Sequence, residues 1–300
     1  GIKFDKFGIC SVCRLSEDKM NINWKIRERI LKKILVNNIS KNKKNYDGIL
    51  PISGGKDSTF QAYVLKEIYD FNPLAITHGS NWFSMTGRYN LENCLQKFDL
   101  DHLMFIPGRK IINNVAKKSL KKIGDACWHC HIGVGTFPIQ TCVEWNLNLI
   151  IYGEAPADGD ARGTHKKIQK VDIRRFLKES AIFKSKDFVD KKTKNKNLSH
   201  WEYPSKKRIN SQKINIIHLG QYIFWDEQKN IDLVVKNYGW KNSKVENTYK
   251  GYKSNECIMA GVHDYFNFLK RGIGRATAHA SEDVRRGLIY REDGFNLAKK

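Results

Sequence analysis

The run Ser53-Gly-Gly-Lys-Asp-Ser58 concentrates more potential chemistry than any other stretch of this 300-residue sequence. It follows the apolar Gly48-Ile-Leu-Pro-Ile52 and precedes a helical pattern, so it lies between a strand and a helix. Two glycines let the backbone approach a ligand closely and adopt positive φ. Amides of such a turn point outward at a helix N-terminus, where the dipole favours an anion. Ser53 and Ser58 add hydroxyl donors, and Lys56 adds positive charge. Asp57 would repel phosphate unless it faces a cation, which makes it a Mg²⁺ contact, directly or through water. The run is not a Walker A loop, which needs Ser or Thr after Gly-Lys, nor a GxGxxG fingerprint. A ligand-free glycine turn is the plain alternative, and the full run in its strand–loop–helix setting favours phosphate binding.

Cysteines supply the second chemistry. Cys10 and Cys13 have zinc-knuckle spacing, and structural zinc is favoured over free thiols. Cys127-Trp-His-Cys130-His131 is a second pair, open to a metal or cluster site with Cys142 as a third ligand, to thiols lining a cleft, or to small buried residues at a helix start. His129 and His131 could be polar groups in a cleft, although a single His is more often structural. Gly153-Glu154 ends an apolar run at the face where ligands of parallel sheets bind, so Glu154 is a candidate to hold Mg²⁺ or orient a substrate. Asp158 and Asp160 follow in a Gly-containing loop as weaker candidates. Arg271, Arg275, Arg285 and Arg286 could grip phosphates or a carboxylate, or form a solvated helical face.

The elements that must position these residues alternate. Helical periodicity marks 22–36, with Ile22, Ile26, Ile30, Ile34 and Leu35 in register, and 58–69, with Phe60, Val64, Leu65 and Ile68 facing inward. Further helices are expected at 87–98, 110–122 and 131–145, and strands at 48–52, 73–77, 102–106 and 147–152. Short apolar strands between helices imply βαβ units: an α/β, Rossmann-like parallel sheet with helices on both faces. The stretch 184–213 is rich in Lys, Asn and Ser, with Phe188, Val189, Leu198, Trp201 and Tyr203 as anchors, and reads as a long, partly mobile surface excursion. Beyond it, 214–219 is apolar, 226–237 and 256–270 look helical, and 281–300 is a charged helix-and-turn region. The expected organisation is a Cys-bearing segment and helix over 1–45, an α/β core carrying the phosphate-binding loop over 46–183, a basic excursion over 184–213 and a helical C-terminal region over 214–300.

Composition fits a globular enzyme: 41% hydrophobic, 11% aromatic and 28% charged. Disorder throughout is excluded, since seven Trp and fifteen Phe need burial. No apolar stretch approaches the roughly 18 residues of a membrane span, and no apolar leader is visible, so a cytoplasmic location is expected. Seven cysteines then read as thiols or metal ligands rather than disulfides. The net charge of +22 suits polyanionic partners, and the joint abundance of Lys, Asn and Ile has an equal explanation in AT-biased coding.

SGGKDS resembles the PP-loop of ATP pyrophosphatases, which cleave ATP between the α- and β-phosphates. Further segments follow in order along nearly the whole chain: Gly1-Ile-Lys-Phe-Asp with Gly8-Ile-Cys-Ser-Val-Cys13, Cys127-Trp-His-Cys-His-Ile-Gly133, Ile151-Tyr-Gly-Glu154, Leu219-Gly-Gln-Tyr-Ile-Phe-Trp-Asp226, His263-Asp-Tyr, and Gly274-Arg275. Together they resemble the N-acetyl sugar amidotransferase family. That resemblance implies an adenine nucleotide α-hydrolase fold and ATP with Mg²⁺ as cofactors, alongside Zn²⁺ at Cys10 and Cys13. It implies conversion of an acetamido group on a nucleotide sugar into an acetamidino group for bacterial surface glycans. Ammonia would come from a glutaminase subunit, with a cyclase-like companion, and nucleic acid is not expected as a partner. Ser53, Gly54, Gly55, Lys56, Asp57 and Ser58 would bind the nucleotide phosphates, with Gly153 beside them; Thr77 and His78, at the end of the second expected strand, either contact the adenosine or form a plain turn. Lys56, Asp57, Glu154, Cys127 and Cys130 would be catalytic. The resembling family carries another Cys pair upstream of Cys10 that this chain lacks. The rivals are a tRNA-thiolating PP-loop enzyme, using Cys127 and Cys130 for sulfur or a cluster, and a non-catalytic nucleotide-binding scaffold.

Overall fold

A computed structural model describes residues 2–39, 46–159, 163–171, 184–190, 194 and 198–299. The polar run 41–45, which the sequence reads as a loop, Asp160 and parts of the basic excursion lie outside the described residues. Five short strands, β1 (Gly48–Pro51), β2 (Pro73–His78), β3 (His102–Phe105), β4 (Leu149–Tyr152) and β5 (Asn215–His218), form one parallel sheet in the order β3-β2-β1-β4-β5. This is a Rossmann-like α/β sheet, and the strand order reverses at β1, where such sheets open a ligand crevice at their carboxyl ends.

The strands are nearly continuous apolar runs because both faces are covered. Successive side chains alternate between faces. Leu50, Ala75, Leu149, Ile151 and Ile217 pack on one side with Leu31, Phe60, Leu65, Leu91, Ile231 and Trp240. Ile49, Leu74, Ile76, Ile150 and Ile216 pack on the other with Ile139, Cys142 and Ile209. The first face is covered by α2 (Trp24–Asn38), α3 (Lys56–Tyr63), α4 (Met85–Lys97) and, later in the chain, the helix at Glu227–Tyr238; the second is covered mainly by α6 (Trp128–Glu144). α5 (Arg109–Ile123) packs against α6.

Several elements differ from the periodicity reading. α2 buries Leu31 and Leu35 and leaves Ile26 and Ile30 largely exposed, because a stripe of isoleucines one turn apart lies beside the true contact face. α3 starts two residues earlier than expected and widens into a π turn at Val64–Ile68, leaving Ile68 exposed. The Cys10–Cys13 pair opens a helix: Cys10 caps α1 (Ser11–Met20), its sulfur accepting from the Cys13 amide. The apolar run at 214–219 supplies β5, so the sheet takes a strand from beyond the basic excursion. In that excursion Phe188, Leu198 and Trp201 are buried against Ile112, Val115, Trp128 and Ile132, whereas Val189 stays exposed.

After α7 (Lys206–Gln212) and β5 come α8 (Glu227–Tyr238), α9 (Ala260–Arg271), α10 (Arg275–Arg285) and α11 (Arg291–Lys299). The helix expected at 256–270 begins at Ala260. The residues before it form turns tied to the start of α4: Cys257 bridges Phe83, Ser84 N–H donates to the Glu256 carbonyl at 2.9 Å, and Ile258 N–H to the Trp82 carbonyl at 3.0 Å. No helix among the described residues is long and apolar enough to cross a membrane.

Candidate active site

The 53–58 loop leaves β1 at the point where the strand order reverses and enters the N-terminus of α3. Gly54 holds φ +79°, and a Cβ there would lie 2.6 Å from the Gly87 carbonyl oxygen, so the site demands glycine. Its own carbonyl accepts from the Trp240 indole at 3.0 Å. Gly55 is the N-cap of α3, with no side chain covering the helix end. The turn binds itself: Gly55 N–H donates to Ser53 Oγ at 3.2 Å, Ser53 N–H to Ser58 Oγ at 3.3 Å, and Ser58 Oγ to the Gly55 carbonyl at 3.0 Å. The first amides of α3 have no acceptor within their own helix, which leaves them for an anion.

A cavity of about 520 Å³ opens over this loop, within the size range of small-molecule sites. Its polar part is lined by Ser53, Gly55, Lys56, Asp57, Ser58, Gly153 and Glu154, and its apolar part by Ile76, Phe83, Val134, Phe137 and Pro138. Thr77, His78 and Cys130 also reach it. Gly54 shapes the turn from behind, and Cys127, as the α6 N-cap, is buried outside the lining. The sequence-predicted nucleotide residues therefore converge on one crevice.

Charge is layered around Lys56. This lysine is 5% exposed and pairs with Asp57 and, at 2.7 Å, with Glu227 on α8. Burial opposes its charge, but the two carboxylates outweigh burial and raise its pKa. Glu154 opens into the cavity yet is crowded by protein, and this burial, with Asp57 nearby, raises its pKa to about 7. Glu256 also borders the cavity, and burial raises its pKa too. Repulsion between Asp57 and Glu154 fits a divalent cation between phosphate and carboxylates, so Mg²⁺ suits this donor set.

The cysteines divide. Cys10 and Cys13 sulfurs lie 3.3 Å apart, but no cluster of three or more metal-ligating side chains occurs among the described residues. Two thiols do not make a tetrahedral zinc site, so the donor set present does not fit zinc. Cys130 lines the cavity beside Cys257, and burial pushes both the Cys127 and the Cys130 thiol up to about 12. Cys142 is buried in the sheet core. His78 borders the cavity and is held neutral, burial and the neighbouring His200 lowering its pKa to about 3; Gly133 admits it, since a Cβ there would meet the ring at 2.1 Å. His129 is fully buried edge-on against Trp82, and His131 lies exposed near Asp125.

The remaining candidates serve structure. Asp158 pairs with Lys19 at 2.9 Å and His165 at 3.3 Å, clipping α1 to the loop after β4. Arg275 is held by Asp264 and Arg286 by Glu227 and Glu282; none of the four arginines lines the cavity. Sequence reasoning missed Gln61, Glu227, Tyr252, Lys253, Ser254, Glu256 and Cys257, all but Glu227 in the cavity lining. Residues 250–256 read Lys-Gly-Tyr-Lys-Ser-Asn-Glu, a polar stretch without periodicity, and offer no local signal.

Residues 246–300 match the family model described as "LPS biosynthesis protein WbpG-like, C-terminal domain". No curated protein matches. Among solved structures, the chain is similar to the NMN synthetase from Francisella tularensis, at 13% identity and TM-score 0.36, covering 64% of this chain and 94% of that one. It is also similar to the NH3-dependent NAD synthetase from Campylobacter jejuni, at 12% identity and TM-score 0.35, covering 75% of this chain and 100% of that one.

Proposed function

We propose that this chain is an ATP-dependent amidotransferase that converts the acetamido group of an activated sugar into an acetamidino group, releasing AMP and pyrophosphate. The observation that carries this reading is the open N-terminus of α3 beneath the cavity, with Lys56, Asp57 and Glu154 around it. The likeness of residues 246–300 to a lipopolysaccharide-biosynthesis domain supports a glycan as the product's destination.

An amide carbonyl is a poor electrophile, because its nitrogen donates into it. The acetamido oxygen attacks the α-phosphorus of ATP, and the α–β bridging bond breaks to pyrophosphate. The leaving charge is met by the loop amides and Lys56. Asp57 and Glu154 would hold Mg²⁺, which would supply further neutralisation of the phosphates. Ammonia then adds to the imidate carbon, the carbon–oxygen bond to AMP breaks, and a proton leaves the incoming nitrogen. That proton passes to the released phosphates, which are bases near neutrality. The apolar wall of Ile76, Phe83, Phe137 and Pro138 takes the adenine face and keeps water from the imidate. Sulfur transfer is disfavoured because Cys130 stays a protonated thiol, and the thiolate is the reactive form.

Ammonia comes from a separate glutaminase subunit, as the sequence resemblance implies. The test is incubation with ATP, ammonium and a panel of nucleotide-linked and free N-acetyl sugars. AMP and pyrophosphate in equal amounts, with a product one mass unit lighter than the sugar substrate, are expected. ADP with phosphate, or efficient use of glutamine by this chain alone, overturns the reading.

A further inference from the structure

Glu227 is a buried carboxylate served by more cations than it needs. Its Oε1 takes Lys56 at 2.7 Å and also Lys253, while its Oε2 takes Arg286 at 3.2 Å and lies 3.9 Å from Lys250. Lys250 has a further partner in Asp283, which also accepts from the Tyr249 hydroxyl at 2.6 Å. A buried carboxylate must stay paired. Here Arg286 and Lys250 stay beside Glu227 when the other two ammonium groups, whose remaining partners are Asp57 for Lys56 and Glu282 at 3.6 Å for Lys253, turn to a different anion. Those two, Lys56 and Lys253, are the lysines that line the cavity. They share one carboxylate oxygen, so they stand side by side. Tyr252 stands beside Lys56, its ring centre 5.8 Å from Nζ.

Lys253 also has a fixed approach. The backbone just after it is latched to the start of α4 through Ser84 and the Phe83–Cys257 bridge. Arg275 donates to Ser254 Oγ at 2.5 Å, tying the next residue to α10. The segment is thus held in place by two ties on the C-terminal side of Lys253.

We propose that Lys253, supplied by the C-terminal segment, is the second cation of a polyphosphate clamp, aligned with Lys56 by Glu227, which acts as a positioning residue for both. The ligand class is a pyrophosphate or the β,γ-phosphates of a nucleoside triphosphate. This rests on the reading of the 53–58 loop as a phosphate site. It adds that the loop is only half of the grip and that the other half comes from about two hundred residues further along the chain.

The test measures magnesium pyrophosphate and AMP separately, by calorimetry on the full chain. Lys253→Met is expected to weaken pyrophosphate about 10- to 100-fold, the range for losing a charge-assisted bond, and to leave AMP within about twofold. Lys253→Arg should recover most of the pyrophosphate affinity. Lys229→Met, which removes the same charge from an exposed site, should change nothing. Unchanged pyrophosphate affinity in Lys253→Met overturns the clamp and leaves the loop reading standing. Equal losses for AMP and pyrophosphate that Lys253→Arg does not restore also overturn it, since they mark a collapsed site. Failure of the unaltered protein to bind pyrophosphate removes the loop reading and the clamp together.

Discussion

Glu154 and Glu227 both feel Lys56, yet their carboxyls are driven in opposite directions, and stability should report this. Burial raises Glu154 from 4.5 to about 7. Its folded form therefore binds more protons than the unfolded chain between those values, so its contribution falls as pH rises through that window. At Glu227, burial acts upward but Lys56 and Lys253 overcome it and lower the pKa. Its contribution is present above the unfolded value of 4.5 and is lost as pH falls below it. In metal-free buffer, Glu154→Gln should raise the melting temperature at pH 8 and flatten its decline from pH 5 to 8. Glu227→Gln should lower stability by about 3–5 kcal/mol at pH 7, because it strips one partner from a buried ion cluster. The deficit should shrink below pH 4.5, where the Glu227 carboxyl of the unfolded chain becomes protonated and the advantage of the paired native carboxylate is lost. Thermal melts across pH check both; parallel pH curves for the two variants would contradict the opposing shifts.

The strand–loop–helix unit separates two uses of glycine that look alike in sequence. Gly54 is required by backbone conformation and by the close approach of Gly87, so Gly54→Ala should cost at least about 1–3 kcal/mol of stability. Gly55 has φ −71° and only a side-chain oxygen as a near neighbour, at 3.2 Å. Gly55→Val should therefore fold with a near-normal melting temperature and lose ATP turnover, because its branched side chain fills the phosphate space. A large drop in melting temperature for Gly55→Val, or full activity, would contradict this division. The unit was legible beforehand because each part is local: Ile49 and Leu50 announce a two-faced strand, and the glycines, lysine and serines act within six residues. Glu227, Lys253 and Glu256 were not legible. Lys253 and Glu256 lie on a polar stretch with no period and reach the loop through the latch of 254–258 against α4, whereas Glu227 lies on a helix that was expected but whose packing on α3 was not. Strand β5 was visible as apolar but not as sheet, since its partner β4 lies across the basic excursion. The Ile26–Ile30 stripe misled in the other direction: its periodicity is real, but the contact is made by Leu31 and Leu35, one position on.

At the scale of the whole molecule, the candidate site is not where the excess positive charge lies, and this bears on the choice between sugar and RNA. The net charge is +22, yet the cavity pairs Lys56 and Lys253 with Asp57, Glu154, Glu256 and the underlying Glu227. The cavity is therefore not a cationic funnel. Arg109, Lys110 and Lys117 border a separate, open hollow at the start of α5, outside the crevice. An enzyme that holds RNA across several phosphates releases counterions at each contact, so log affinity falls with log salt at a slope of about −0.7 to −0.9 per phosphate. A nucleotide sugar brings only its few phosphate charges into a pocket, so its Michaelis constant should change little with salt. We expect sugar turnover to vary by less than about threefold between 50 and 200 mM salt, against the roughly 10³- to 10⁵-fold loss of a protein touching six to ten phosphates. We also expect tRNA neither to be modified nor to compete with the sugar. A steep salt slope on tRNA binding that is accompanied by a thiolated product would assign the site to RNA, with Cys130 as the sulfur carrier despite its burial.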